Sequence, residues 1–288
     1  MTATEILKKV RELEIKSKRL TNHLFTGEYH TAFKGRGMLF KEVKEYSAGD
    51  DIRFIDWNVS ARMNHTYTKV FEEERELSVY LLVDFSGSSN FGTVSQTKKE
   101  LITEICAVLA FSAINNNDKA GCLIFTDKVE KYIKAAKGKN HVLYMVREML
   151  SIQPTSTQTN VVKALQYLSR VAKHKSIAFV LSDFADTGYR DALKVAAKRH
   201  DVIGVQVLDR GDNTFAVNGL INLQDAETGE IISIDMSDLV SKHAYSNQHN
   251  TIVNEAKETF KAAGADLMKV FTGEDYVKAL QQFFIKRA

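Results

Sequence analysis

The segment Leu77–Ser88, LSVYLLVDFSGS, constrains the fold more than any other: an apolar run of strand length ends abruptly in one carboxylate, two hydroxyls and a glycine. Such a run reads as a buried strand. In open parallel sheets, ligands bind at the carboxyl ends of the strands. Asp84, Ser86 and Ser88 therefore fall where a ligand is received.

Downstream, the chain alternates between the two periodicities. A helix over Ser95–Asn115 precedes a strand over Lys119–Thr126 and a short piece, Val129–Ile133, able to pair with it. Then come a helix over Lys139–Leu150, a polar loop from Gln153 to Thr159, and a helix over Asn160–Ala172. A strand over Ser176–Leu181, a helix over Asp186–Arg199 and a strand over Asp201–Leu208 complete the series. This order predicts an α/β fold with a doubly wound, mostly parallel, Rossmann-like sheet.

After Asp209 the rhythm breaks. Arg210 to Asp235 reads as turns plus a β-hairpin centred near Thr228-Gly229, ahead of a long helix over Ser237–Ala263. The strand Asp266–Phe271 and the helix Asp275–Phe284 restore the alternation, so residues 210 to about 236 are an insertion before the last strand. Upstream, residues 4–20 fit an amphipathic helix whose Glu and Lys residues form a solvated face. Residues 26–75 are irregular, with β-like pieces near 38–40 and 66–71. The pattern divides the chain into a small α+β N-terminal region, 1–76, and a sheet domain, 77–288.

Composition excludes several function classes. With 39 basic and 36 acidic residues the formal net charge is only +3, which argues against a nucleic-acid binder. The N-terminus is charged throughout and lacks a secretory h-region, and no window approaches the apolar length of a membrane span. A cytoplasmic protein without a transmembrane segment is expected. Cys106 and Cys122 lie in apolar segments and read as reduced core thiols. The eight histidines show no ligand spacing.

Three separate loops supply a set of oxygen donors. Asp84, Ser86 and Ser88 follow the first strand, Thr159 opens the helix at Asn160, and Asp183 follows Ser182 after the strand IAFVL. Hard divalent cations prefer oxygen ligands, and magnesium retains water in a near-octahedral shell. Hydroxyls binding directly, with aspartates acting through water, leave the ion undercompensated and receptive to a partner's carboxylate. Singly, these residues are ordinary caps: Ser88 and Thr159 are each suited to capping the helix that follows.

The set Asp84-x-Ser86-x-Ser88, Thr159-Asn160-x-x-x-Ala164-Leu165 and Leu181-Ser182-Asp183 resembles a von Willebrand factor A domain carrying a metal-ion-dependent adhesion site. The resemblance implies Ser86, Ser88 and Thr159 as direct or near-direct ligands, with Asp84 and Asp183 anchoring the shell. Thr157 competes with Thr159 for this place. The implied ion is magnesium, with manganese or calcium as alternatives.

The upstream segment GRGMLFKEVKEYSAGDDIRFIDWNVSARMN resembles the bacterial family catalogued as domain of unknown function 58, over nearly the whole chain. Phe40, Glu42, Tyr46, Gly49, Asp50, Arg53, Asp56, Trp57, Ser60, Ala61 and Arg62 carry that likeness. Here Arg53 and Arg62 are expected to pair with Asp50, Asp56 or the acidic run Glu72–Glu76, with Trp57 filling the space between. The alternative is a partner-docking face built on Trp57.

The resemblance implies a non-enzymatic, metal-dependent interaction module. Its expected partner is a MoxR-type AAA+ ATPase, a client protein, or both, supplying a carboxylate to the metal. The alternative is a divalent-metal-dependent hydrolase or phosphoryl-transfer enzyme. Against it, the sequence has no phosphate loop and no Asp-x-Asp pair.

Overall fold

The computed structural model describes residues 3–24, 39–72, 77–93, 96–212, 219–235 and 237–287. The chain forms two compact units, one of residues 33–77 and the other of residues 1–32 with 78–288.

The larger unit is built on a six-stranded sheet of β3 (Ser78–Asp84), β4 (Lys119–Phe125), β5 (Val129–Ala136), β6 (Ile177–Ser182), β7 (Asp201–Leu208) and β10 (Asp266–Phe271). Its order is β10-β7-β6-β3-β4-β5, parallel except for β5, which pairs antiparallel with β4. The expected doubly wound sheet is thus present. The order turns back at β3, whose neighbours are β4 and β6, and crevices open at such switch points.

Helices cover both faces. On one, α5 (Val161–Val171), α6 (Arg190–Arg199) and α7 (Leu239–Ala263) close a core that includes Leu82, Phe125, Leu165, Val180, Phe184 and Phe260. On the other, α3 (Lys98–Asn115) is apolar all round, because one side meets β3 and β4 while the other meets α1 (Ala3–Leu24) and α4 (Lys139–Ser151). The chain closes on α8 (Tyr276–Arg287), which packs against β10. Among the described residues, no helix is long and apolar enough to cross a membrane.

The N-terminal helix changes the division expected from sequence. Val10 and Leu13 of α1 are buried, Lys9 and Lys16 pair with Glu100 and Glu104 of α3, and Glu14 pairs with Lys139. A boundary near residue 76 separates α1 from the unit it belongs to, and its Lys and Glu residues are more than a solvated face.

The start of α3 also differs. The periodicity extends it back to Ser95, which lies outside the described residues, but Thr97 is the N-cap and forms a capping box with Glu100. Thr97→Ala is expected to cost about 1 kcal/mol, read as a shift of the urea midpoint with an unchanged slope. A shift below about 0.3 kcal/mol would mean that the box contributes nothing beyond the packing of α3.

The smaller unit pairs β1 (Leu39–Glu45) antiparallel with β2 (Tyr67–Glu72), joined through a 3₁₀ turn at Ile52–Phe54 and α2 (Trp57–Met63). Asp56 caps α2 by accepting from the Asn58 and Val59 amides, and it also meets Lys69. For Arg53, the expected pairing is replaced by a local one. Arg53 pairs with Asp51, and Asp50 binds Lys44 and the Ser47 amide. Trp57 fills no internal space and is 70% exposed. Of the acidic run, Glu73 to Glu76 lie outside the described residues.

Candidate functional site

Asp84 closes β3 and is fully buried. One carboxylate oxygen accepts from the Ser86 amide at 3.0 Å and the other from the Ser182 hydroxyl at 2.5 Å, so the neighbouring strand β6 fixes it from the side. Burial, reinforced by the charge of Asp183, pushes this carboxyl up to about 7. Its hydrogen bonds do not offset the loss of water around it.

The chain then tightens into a 3₁₀ turn, Gly87–Asn90, with Ser86 as its N-cap. Ser86 makes no side-chain capping bond; its buried hydroxyl lies 3.2 Å from that of Ser88. Ser88 does not cap the following helix either, since Thr97 does. Both hydroxyls are thus released from the ordinary role of serine in such loops.

Thr159 is released in the same way. Asn160 caps α5 by accepting from the Lys163 amide, and Asp186 accepts from the Val161 amide. The Thr159 hydroxyl instead donates to the Glu227 carboxylate at 2.6 Å.

Asp183 is aimed by an unusual backbone. Phe184 adopts a left-handed conformation, φ 57°, while its ring is held against Tyr189 and Phe260. A bulky residue persists there only when packing over-determines it. The Ser182 hydroxyl accepts from the Phe184 amide as it donates to Asp84, so one side chain ties Asp84 to the backbone just after Asp183.

The structure brings Asp84, Ser88 and Asp183 around one small void of about 10 Å³, with Ser86 bonded to Ser88. Thr159 does not line that void; its hydroxyl is bonded to Glu227, whose carboxyl is pushed upward by burial and by the nearby Asp183 charge.

Three participants, Lys98, Asp212 and Glu227, were not singled out from sequence. Lys98, at the first turn of α3, is buried and pairs with Asp183 at 3.4 Å and with Asp212 at 2.8 Å. Burial works against its ammonium, but the two carboxylates outweigh this and raise its pKa. A lysine beside another lysine at a helix start carries no signal of this. Glu227 comes from the turn between β8 (Leu220–Gln224) and β9 (Ile231–Asp235), the hairpin expected within the insertion. Its turn chemistry was legible, but its reach to Thr159 was not.

A pocket of about 380 Å³ opens beside these residues, with Lys98, Asp183 and Asp212 on its polar side and Leu223, Ile232 and Ile252 on its apolar side. The donors suit a hard cation. All are oxygens, and an octahedron of roughly 2.1 Å bonds has edges of about 3 Å, close to the 3.2 Å between the Ser86 and Ser88 hydroxyls. Among the described residues, no three His, Cys, Asp or Glu side chains gather into a cage.

The uncharacterized protein Rv1480 of Mycobacterium tuberculosis is 28% identical over 285 residues, which cover 96% of this chain and 88% of that protein. Among solved structures, the conserved hypothetical protein BatB from Bacteroides thetaiotaomicron aligns at a TM-score of 0.48 and 16% identity, covering 73% of this chain and 98% of BatB. A von Willebrand factor type A structure from Catenulispora acidiphila aligns at 0.39 and 10% identity, covering 88% of this chain and 50% of that one. The family model described as Protein of unknown function DUF58 matches residues 42–254, and this chain belongs to that family.

Proposed function

We propose that this chain is a protein-interaction module that holds a divalent cation, magnesium first, at the carboxyl edge of its sheet and offers it to an acidic group of a partner. The observation that carries the reading is the pair of serine hydroxyls, Ser86 and Ser88, 3.2 Å apart and free of capping duty beside a buried aspartate. Ser86, Ser88 and Thr159 would hold the ion directly, with Asp84 and Asp183 behind them. Bound there, the ion supplies positive charge that the carboxylates of this chain only partly offset. Asp84 and Ser182 orient the hydroxyl loop, and Lys98 limits how much of the Asp183 charge is available to a cation.

The role is binding rather than turnover. Lys98, an amine lining the same small void, is locked between two carboxylates and is not poised as a base. The sequence resemblance suggests a MoxR-type AAA+ ATPase as the partner, acting with a client protein. A cation-bridged contact provides a reversible way to engage either one.

Calorimetric titration with magnesium, manganese and calcium tests the ion. Ser86→Ala is expected to weaken binding by about 100-fold while leaving the thermal midpoint of the metal-free protein unchanged, since even outer-shell groups cost 10–100-fold. No binding heat from any of the three at millimolar concentration would overturn the reading. The partner is tested by co-purification with the AAA+ ATPase in magnesium and in EDTA, with retention expected only in magnesium.

A further inference from the structure

The tip of the β8–β9 hairpin sits on the same loops that present the candidate donors. The Thr159 hydroxyl donates to the Glu227 carboxylate at 2.6 Å, and the Thr157 hydroxyl donates to the Glu227 carbonyl at 2.8 Å. The Gly87 amide in turn donates to the Thr157 carbonyl at 2.7 Å, which ties the serine turn to the threonine loop. Any Cβ on Gly87 would lie 2.0 Å from the Ala226 carbonyl oxygen, so the hairpin tip approaches the Ser86–Ser88 turn as closely as glycine allows.

The tip is pre-shaped for this approach. Asp225 accepts from the Glu227 and Thr228 amides at 2.9 and 2.7 Å, and Gly229, at φ 76°, donates to the Asp225 carbonyl. An Asx turn of this kind fixes where the next side chains point. Glu227 is thus delivered as a rigid acidic finger among the Thr157, Thr159 and Gly87 contacts.

We propose that Glu227 is the site's own acidic ligand, and that a partner's carboxylate gains access by displacing it. The inference rests on the cation-binding reading above. It deepens that reading by assigning the first occupant of the acidic position to this chain. A linear acidic side chain of the partner, Glu or Asp on an exposed loop, is the chemistry that matches what it replaces. The cost of lifting Glu227 makes the site selective, because a weak acidic contact leaves the hairpin seated.

The test uses manganese as the probe ion on the whole chain, with acetate as a minimal carboxylate. Glu227→Gln keeps an oxygen able to accept from Thr159 while removing the charge; Glu227→Ala removes both. Manganese binding is expected to weaken about tenfold in both variants. Water-proton relaxation should report one additional exchangeable water on the bound ion in Glu227→Ala. Acetate should lower that water count at a lower concentration in Glu227→Ala than in the parent. If the parent binds manganese and both variants match it in affinity, water count and acetate response, this inference is overturned while the cation site stands. If the parent binds no manganese, both readings fall together. Circular dichroism of the variants should match the parent, because the tip is held by backbone bonds that neither substitution removes.

Discussion

Lys98→Met is expected to lower folding stability by about 3–5 kcal/mol, the usual loss when one member of a buried ion pair is removed. Lys98 is only 4% exposed and faces Asp183 at 3.4 Å and Asp212 at 2.8 Å. Methionine restores the volume but leaves two partly buried carboxylates without their cation. The urea midpoint of the metal-free protein reads the loss, and adding Asp212→Asn should recover part of it because the second substitution removes a stranded charge. A loss below about 1 kcal/mol would show that water, rather than Lys98, compensates these carboxylates. The same variant probes the cation. With the competing ammonium gone, magnesium should stabilise Lys98→Met more than the parent, by the ordinary linkage of binding to folding.

Asp209→Asn should cost about 3 kcal/mol, because a buried charged acceptor shared by several donors is the strongest class of hydrogen-bonding group. Asp209 lies at the end of β7 and is 1% exposed. It accepts from the Thr93 amide and hydroxyl, the Gly211 amide and the Thr272 hydroxyl, tying the loop after β3 and the end of β10 to the same strand end. Asparagine has one acceptor oxygen, and its amide nitrogen would meet donors that it cannot serve.

The pH dependence has a definite sign. Burial raises the Asp209 pKa, but the Thr272, Thr93 and Gly211 donors outweigh it and hold the carboxyl below its ordinary value of 3.8. A group depressed in the folded state contributes stability that is fully present above its unfolded pKa and is lost as pH falls through the folded one. The difference in stability between parent and Asp209→Asn should therefore hold above about pH 5 and shrink on acidification below about pH 4. A difference that stays constant down to pH 3 would contradict a charged Asp209.

Much of the fold was legible because burial leaves a periodic record. LSVYLLV, IAFVL and the strand over Asp201–Leu208 read as strands, and the helices between them appeared within a few residues of their true ends. The errors fell at boundaries and loops, where a cap decides and periodicity does not. Thr97 rather than the Ser95 region starts α3, and Phe184 holds the turn that delays α6 to Arg190. Trp57 went astray for a different reason: residue type favours burial, but the short helix carrying it leaves it exposed.

The sequence by itself determined the α/β alternation, and it singled out Asp84, Ser86, Ser88, Thr159 and Asp183 as candidate donors. Each is written locally, in strand periodicity or in a polar loop next to a periodic segment. Only the tertiary structure decided that Lys98 is locked between Asp183 and Asp212, and that Glu227, 68 residues after Thr159, bonds to it. Those contacts join segments whose approach depends on the crossover order of the sheet and on how an inserted hairpin folds back. No local period records either one.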